Sequence, residues 1–451
     1  MNHSNASRQP DLVIHSKNTV LPSGVMDAFV LIKDGLIYGI ERTADNGLNC
    51  PIEDAGELIL MPGLVDSHVH INEPGRTDWE GFETATKAAI AGGVTTLVDM
   101  PLNSTPVTTT PINFEQKLKA TQGKLYSHCG FWGGVVPDNA DLMKPLIECG
   151  VLGIKAFLVH SGIDDFPNVT KADLDKAMPA IAAANLPLLV HAEIEPKESE
   201  SVNISNYKSF LQSRPRSWED NAIELMIDLC REHKCRTHIV HLSSANSIEP
   251  LARAKEEGLP ITVETCPHYL YFNSESIPSN NTLYKCTPPI REKENNELLW
   301  KGIKDGIIDL VVTDHSPAPL SLKQGKKLNF SNAWGGIASL QFTLPAFWSE
   351  ARAHSLNPAD VCRLMCEQPA NLIGNDKKGR ITIGADADLM VWDPNKAVVP
   401  TAKDIIYKHK VTPFEGEDLT GEIIQTYLKG TRVFNQGDFV SLPIGDVLLN
   451  N

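Results

Sequence analysis

Along the chain, short apolar runs alternate with stretches whose apolar residues recur at helical spacing. The runs occupy residues 58–69, 94–100, 128–136, 152–159, 186–192, 237–242, 261–272 and 307–313. Between them lie segments such as 79–91, where Phe82, Ala85, Ala89 and Ile90 fall on one helical face. Another is 219–231, with Ile223, Leu225, Met226, Ile227 and Leu229. Strand-like runs alternating with helical patterns mean βαβ units and a parallel sheet. Eight of them predict an α/β protein built on a closed (β/α)8 TIM barrel.

The two ends of the chain read differently. Residues 11–20, 28–41 and 57–60 look like strands, with turns at Asp34-Gly35 and Ala55-Gly56. Near the C-terminus, 379–383, 388–393, 423–428 and 431–434 read likewise, with turn signals at residues 384–386, Asp393-Pro394 and Lys429-Gly430. The expectation is a small flanking β-sandwich domain composed of 1–57 and 373–451, beside one barrel domain spanning 58–372.

Composition narrows the class. With 41 Lys plus Arg against 56 Asp plus Glu among 451 residues, the formal charge is −15. That balance argues against nucleic-acid binding, which needs basic residues to neutralise phosphates. No stretch reaches the ~18 consecutive apolar residues of a membrane span, and the polar start carries no apolar signal-peptide core. Nine cysteines without a C-x-x-C pair read as reduced thiols of a cytoplasmic protein.

Candidate chemistry sits at the ends of the apolar runs. In a strand, residues two apart share a face, so His68 and His70 project together and can share one divalent cation. Lys155 interrupts an otherwise apolar run, where an unpaired ammonium is costly. His191, His241 and Asp314 each close a run at the point where a barrel strand reaches its C-terminal rim, the edge on which barrel enzymes build their sites. Any one of these residues alone fits an ordinary hydrogen-bonded role. Six on one rim point to a metal centre.

Longer motifs carry a resemblance. They are residues 63–80 (GLVDSHVHINEPGRTDWE), 92–103 (GGVTTLVDMPLN), 153–158 (GIKAFL), 264–269 (ETCPHY) and 285–291 (KCTPPIR). Residues 314–317 (DHSP), 333–336 (AWGG) and 379–389 (GRITIGADADL) complete the set. Over roughly residues 11–435 the chain resembles the amidohydrolase superfamily, in its cyclic amidohydrolase branch, and within that branch the allantoinases.

The resemblance implies a hydrolase that opens the hydantoin ring of allantoin to allantoate, with a hydroxide between two divalent ions as nucleophile. It implies that His68, His70 and Asp314 hold one ion, that His191 and His241 hold the other, and that Lys155, as its N6-carboxylate, bridges them. Zinc is the first expectation, although cobalt, manganese or iron also suit such ligands. Asp314 would be the catalytic base and then acid. Thr287 and Trp334 would lie on loops facing a cyclic ureide, and homotetramers are common in the branch.

Asn72 sorts within the branch. Dihydroorotases resemble this stretch but carry Arg at the matching place, where it grips a carboxylate; an amide suits a neutral ring better. Arg76 has two readings, a contact to a ureido oxygen or an ion pair with Glu73 or Asp78. His268 and His315 flank the motifs without a ligand role. Two other functions stay open: a hydantoinase or dihydropyrimidinase, and a non-catalytic scaffold of the same fold.

Overall fold

The computed structural model describes residues 9–43, 47–197 and 202–450. The first eight residues, which bear most of the signal-peptide reading, lie outside the described residues. No helix among the described residues is long and apolar enough to cross a membrane.

The predicted barrel is present. Strands Leu64–Val69, Val94–Asp99 and His128–Phe131 pair in parallel. A second parallel set follows from Gly133–Gly134 through Ile154–Phe157, Leu188–His191, Thr237–Ile239 and Ile261–Thr265 to Leu310–Val311. The third strand passes from one set to the other at Trp132, whose backbone N–H donates to Asp99 O at 3.0 Å. The ring closes where Val69 bridges His315 and the His70 N–H donates to His315 O at 2.8 Å. Each of the eight apolar runs therefore contains a barrel strand. The expected helices also form, as Phe82–Ala91 and Arg216–His233, and both turn their apolar faces into the core.

A nine-stranded sheet from both termini flanks the barrel. It does not comprise two separate sheets. Its edge strand Leu36–Glu41 meets the segment before Leu389–Val398 through a Leu36–Asp386 bridge, so one continuous sheet curls over its own core of Ile14, Val30, Ile37, Leu60 and Leu389. At Asp34-Gly35 and Lys429-Gly430 both residues have positive φ, the geometry of tight hairpin turns.

Four local expectations need correction. The run 58–69 is two elements: Ile59–Pro62 joins the terminal sheet, and Leu64–Val69 enters the barrel. Between them a Cβ on Gly63 would lie 2.2 Å from the Thr95 side chain, so only glycine permits the crossing. The run 261–272 is a strand followed by a short helix Pro267–Tyr271, with proline at its start. Residues 379–383 are not a strand, although Ile381 is buried there. Asp393-Pro394 is not a turn but falls at a register shift inside Leu389–Val398, where proline disturbs the ladder least.

Candidate metal centre and substrate cleft

The strand ends bring the six expected side chains together at one rim of the barrel. Asp314 Oδ1 lies 3.2 Å from His68 Nε2 and 3.5 Å from His70 Nε2. The His68 and His241 rings are 5.4 Å apart, and those of His191 and His241 are 4.6 Å apart. His68, His241 and Asp314 each offer a ligand atom, all within 4.8 Å of one another. Lys155 is fully buried, with Nζ 5.0 Å above the Phe157 ring, which stacks on His191 at 4.7 Å. Its charge depresses the basicity of His68, His191 and His241 alike.

The backbone holds two of these residues in an unusual conformation. His241 (φ 41°) and Asp314 (φ 46°) are left-handed without being glycine. Such positions cost about 1–3 kcal/mol and persist where surrounding structure enforces them, often at functional sites.

Burial dominates the electrostatics. It pushes the imidazoles of His68 and His191 below the ordinary histidine value, and that of His241 well below it, favouring the neutral form that ligates metals. It pushes the Lys155 ammonium down to about 7. Lys155 Nζ and His241 Nδ1 are buried without a hydrogen-bond partner. Burial would raise the Asp314 carboxyl, but the nearby His68 and His70 outweigh it and hold it below the usual carboxylate range.

Several residues around the six were given no role from sequence. Glu264, fully buried, accepts His68 Nδ1–H at 2.5 Å, His238 Nε2–H at 2.8 Å and the His241 backbone N–H at 3.2 Å. Burial acts to raise its carboxyl, yet these partners hold it well below the ordinary value. Glu193 accepts His191 Nε2–H at 2.7 Å and is itself gripped by Arg214. Each carboxylate fixes one imidazole tautomer, leaving the opposite ring nitrogen free to face the centre. Asn103 Nδ2 lies 3.2 Å from His70 Nδ1. Glu264 and Asn103 stand inside the quoted motifs, and Glu193 just follows the apolar run 186–192. A carboxylate within an apolar strand was the available signal for Glu264.

The two flanking histidines separate. His315 Nδ1 accepts the Ser339 and Leu340 N–H groups while its backbone closes the barrel, so it is an anchor. His268 is buried near Asp314 with neither ring nitrogen partnered, and burial pushes it down to about 4.

A cleft of about 750 Å³ opens at the same rim, lined by loops that follow several barrel strands. Thr287 and Trp334 both line it. Asn72, left-handed and buried, donates from Nδ2 to Pro317 O at 3.3 Å and keeps Oδ1 buried and unpartnered. Arg76 forms no ion pair with Glu73 or Asp78 among the described residues. Glu73 is held by Lys124 and by the Phe82 N–H, and the Arg76 guanidinium lies 5.1 Å from the Trp79 ring. Trp79 in turn meets Trp334 edge-on at 4.7 Å.

Comparison with known proteins agrees with this geometry. The model of the amidohydrolase family matches residues 59–433. The chain is 43% identical over 442 residues to an allantoinase of Streptomyces avermitilis, covering 97% of this chain and 98% of that one. It is 38% identical over 457 residues to an allantoinase of Saccharomyces cerevisiae, with 99% and 97% covered. Among solved structures, the L-hydantoinase (dihydropyrimidinase) of Arthrobacter aurescens superposes with a TM-score of 0.92 at 29% identity, covering 98% of this chain and 100% of that one. The chain belongs to the amidohydrolase family.

Proposed function

We infer that this chain is a metal-dependent hydrolase that opens the hydantoin ring of allantoin to give allantoate. The observation that carries the reading is the gathering of four histidines, Asp314 and an unpartnered buried Lys155 on one barrel rim. Near full-length similarity to allantoinases supports the substrate. The donor set fits divalent cations: neutral imidazoles, a carboxylate and buried polar atoms with no protein partner.

His68, His70 and Asp314 would hold one ion, and His191 and His241 the other, with zinc the first choice. Bound there, divalent cations supply Lewis acidity, bringing the pKa of water toward ~7 and polarising a ring carbonyl. Lys155, whose ammonium burial pushes down to about 7, has a sizeable neutral fraction at neutral pH and could attack carbon dioxide through that amine. A nitrogen–carbon bond would form as one carbon–oxygen π bond of carbon dioxide opens onto oxygen, the nitrogen would lose a proton to solvent, and the resulting N6-carboxylate would supply an anionic ligand shared by both ligand groups. Asp314 takes the proton of the attacking water and passes it to the departing ring nitrogen. Glu264 and Glu193 keep His68 and His191 in the tautomer that ligates. Asn72 Oδ1, an acceptor with no partner, suits a ring N–H. Thr287 and Trp334 form the cleft wall, with Arg76 behind Trp79.

A hydantoinase activity is the second reading, favoured by the superposition on the Arthrobacter enzyme. A non-catalytic scaffold has no such support, because all six ligand positions are filled by suitable residues. The test is kcat/KM over allantoin, hydantoin, dihydrouracil and dihydroorotate. Allantoin should lead; a preference for hydantoin or dihydrouracil moves the chain to the second reading. A cytoplasmic, homotetrameric protein completes the proposal, supported for the compartment by nine cysteines that are all free.

A further inference from the structure

Two buried lysines near the cleft have no carboxylate partner. Lys323 ends the short helix Leu320–Lys323 and is 4% exposed. Its Nζ donates to Lys285 O at 3.1 Å, Trp334 O at 2.9 Å and Gly336 O at 2.7 Å, which uses all three of its N–H groups. Lys285 Nζ donates to Ala333 O at 2.7 Å. Neither lysine forms an ion pair among the described residues, and burial pushes Lys323 down to about 7 and Lys285 to about 8. A buried ammonium matched only to carbonyl dipoles is costly, so the geometry it enforces needs a reason.

Those carbonyls belong to two loops. One is 282–287, which ends at Thr287; the other is 331–336, which carries Trp334. Direct bonds between the loops are few. The Gly336 N–H donates to Lys285 O at 2.9 Å, and Thr287 Cγ2 would lie 3.5 Å from a Cβ on Gly335. The ammonium of Lys323 is the point where both loops converge. Through Trp334 the same fastening reaches Trp79, and so the loop after the first barrel strand.

We propose that Lys323, assisted by Lys285, is a specificity-determining positioning residue that rivets the Trp334 loop to the Thr287 loop and sets the cleft width for a small cyclic ureide. This rests on the hydrolase reading above. Lys323 touches no reacting atom. It acts through the backbone of the residues that flank the ring.

The test uses the full-length, metal-loaded enzyme carrying Lys323→Met. The reference is whichever of allantoin and hydantoin the unmodified enzyme turns over best, so an error in the substrate assignment shows in that enzyme alone. The positioning role is read from the ratio of variant to unmodified enzyme. KM should rise roughly tenfold or more while kcat stays within about threefold, because misplaced flanking groups weaken binding without touching the metal ligands. Metal content should not change. Discrimination against a bulkier 5-substituted hydantoin should shrink, and Lys323→Arg should recover part of the KM.

A second readout is independent of turnover. Trypsin should cut after the exposed Lys326 or Lys327 faster in Lys323→Met, with the rest of the chain equally protected. If Lys323→Met does not fold, Lys285→Met is judged by the same criteria. Unchanged KM and unchanged cleavage in a folded, metal-replete variant would overturn the proposal. So would parallel losses of kcat and metal, which mark general structural damage.

Discussion

Lys117 and Lys155 are both fully buried against the same barrel, and their surroundings are opposite. Lys117, on the helix Pro111–Ala120, donates to Asp99 Oδ2 at 2.5 Å. Asp99 Oδ1 accepts the Ile71 N–H at 2.8 Å, so this pair fixes the strand exit between His70 and Asn72. Lys155 has no hydrogen-bond partner, and burial moves it toward its neutral form. One lysine has its charge satisfied by the protein and serves as scaffold. The other is left free for chemistry that the side chains around it do not complete.

Lys155→Ala is the largest break in that contrast. Activity should fall below detection and metal content should drop, whereas the metal-free protein should keep its melting temperature or gain, since an unpartnered buried amine has gone. A short carboxylic acid in solution should refill part of the gap and restore some turnover. A crystal of the metal-loaded enzyme showing an unmodified Lys155 amine would contradict the bridge.

Asp314→Asn comes next. The amide can still coordinate through oxygen but cannot accept the proton of the attacking water, so turnover should fall roughly 10²–10⁴-fold with metal largely retained. Near-normal turnover in metal-replete Asp314→Asn would move the base role, with His268 the next residue to test because it is buried beside Asp314.

Lys117→Met sharpens the comparison from the other side. It leaves Asp99 as a buried carboxylate without its cation, which should cost about 3–5 kcal/mol of stability by denaturant titration. Double substitution of Lys117 and Asp99 by apolar residues should recover much of that loss. If Lys117→Met melted as the unmodified protein does, the scaffold role would fall.

How far the sequence revealed all this follows from the same physics. The eight strand runs were legible because a strand buried on both faces must be apolar throughout, and the candidate rim residues because polar side chains end those runs. Continuity hid the finer breaks. In the run 58–69 the only mark of the sheet change is the Pro62-Gly63 pair, because the strands on both sides of it are buried. The 261–272 run hides a helix for the same reason. Of the site, the six side chains that meet at the rim were legible; Glu264 and Lys323 acquire their roles through partners brought close only by the fold, and Glu193, although two residues from His191, is set in place by Arg214, 21 residues away.

The smallest predicted effect concerns substrate charge. Asn72 offers an amide where a carboxylated ring needs a cation, and a charge-assisted hydrogen bond contributes roughly 1.5–3 kcal/mol. Dihydroorotate should therefore trail allantoin in kcat/KM, and Asn72→Arg should narrow the difference by weakening allantoin. Parity of the two rings on the unmodified enzyme would remove the role given to Asn72.

Elemental analysis of the protein purified without chelator, paired with allantoin turnover on the same sample, bears most directly on the metal centre. Close to two divalent ions per chain are expected, with activity falling as a chelator removes them and returning on their readdition. Full allantoin hydrolysis by folded protein holding no divalent metal would contradict it.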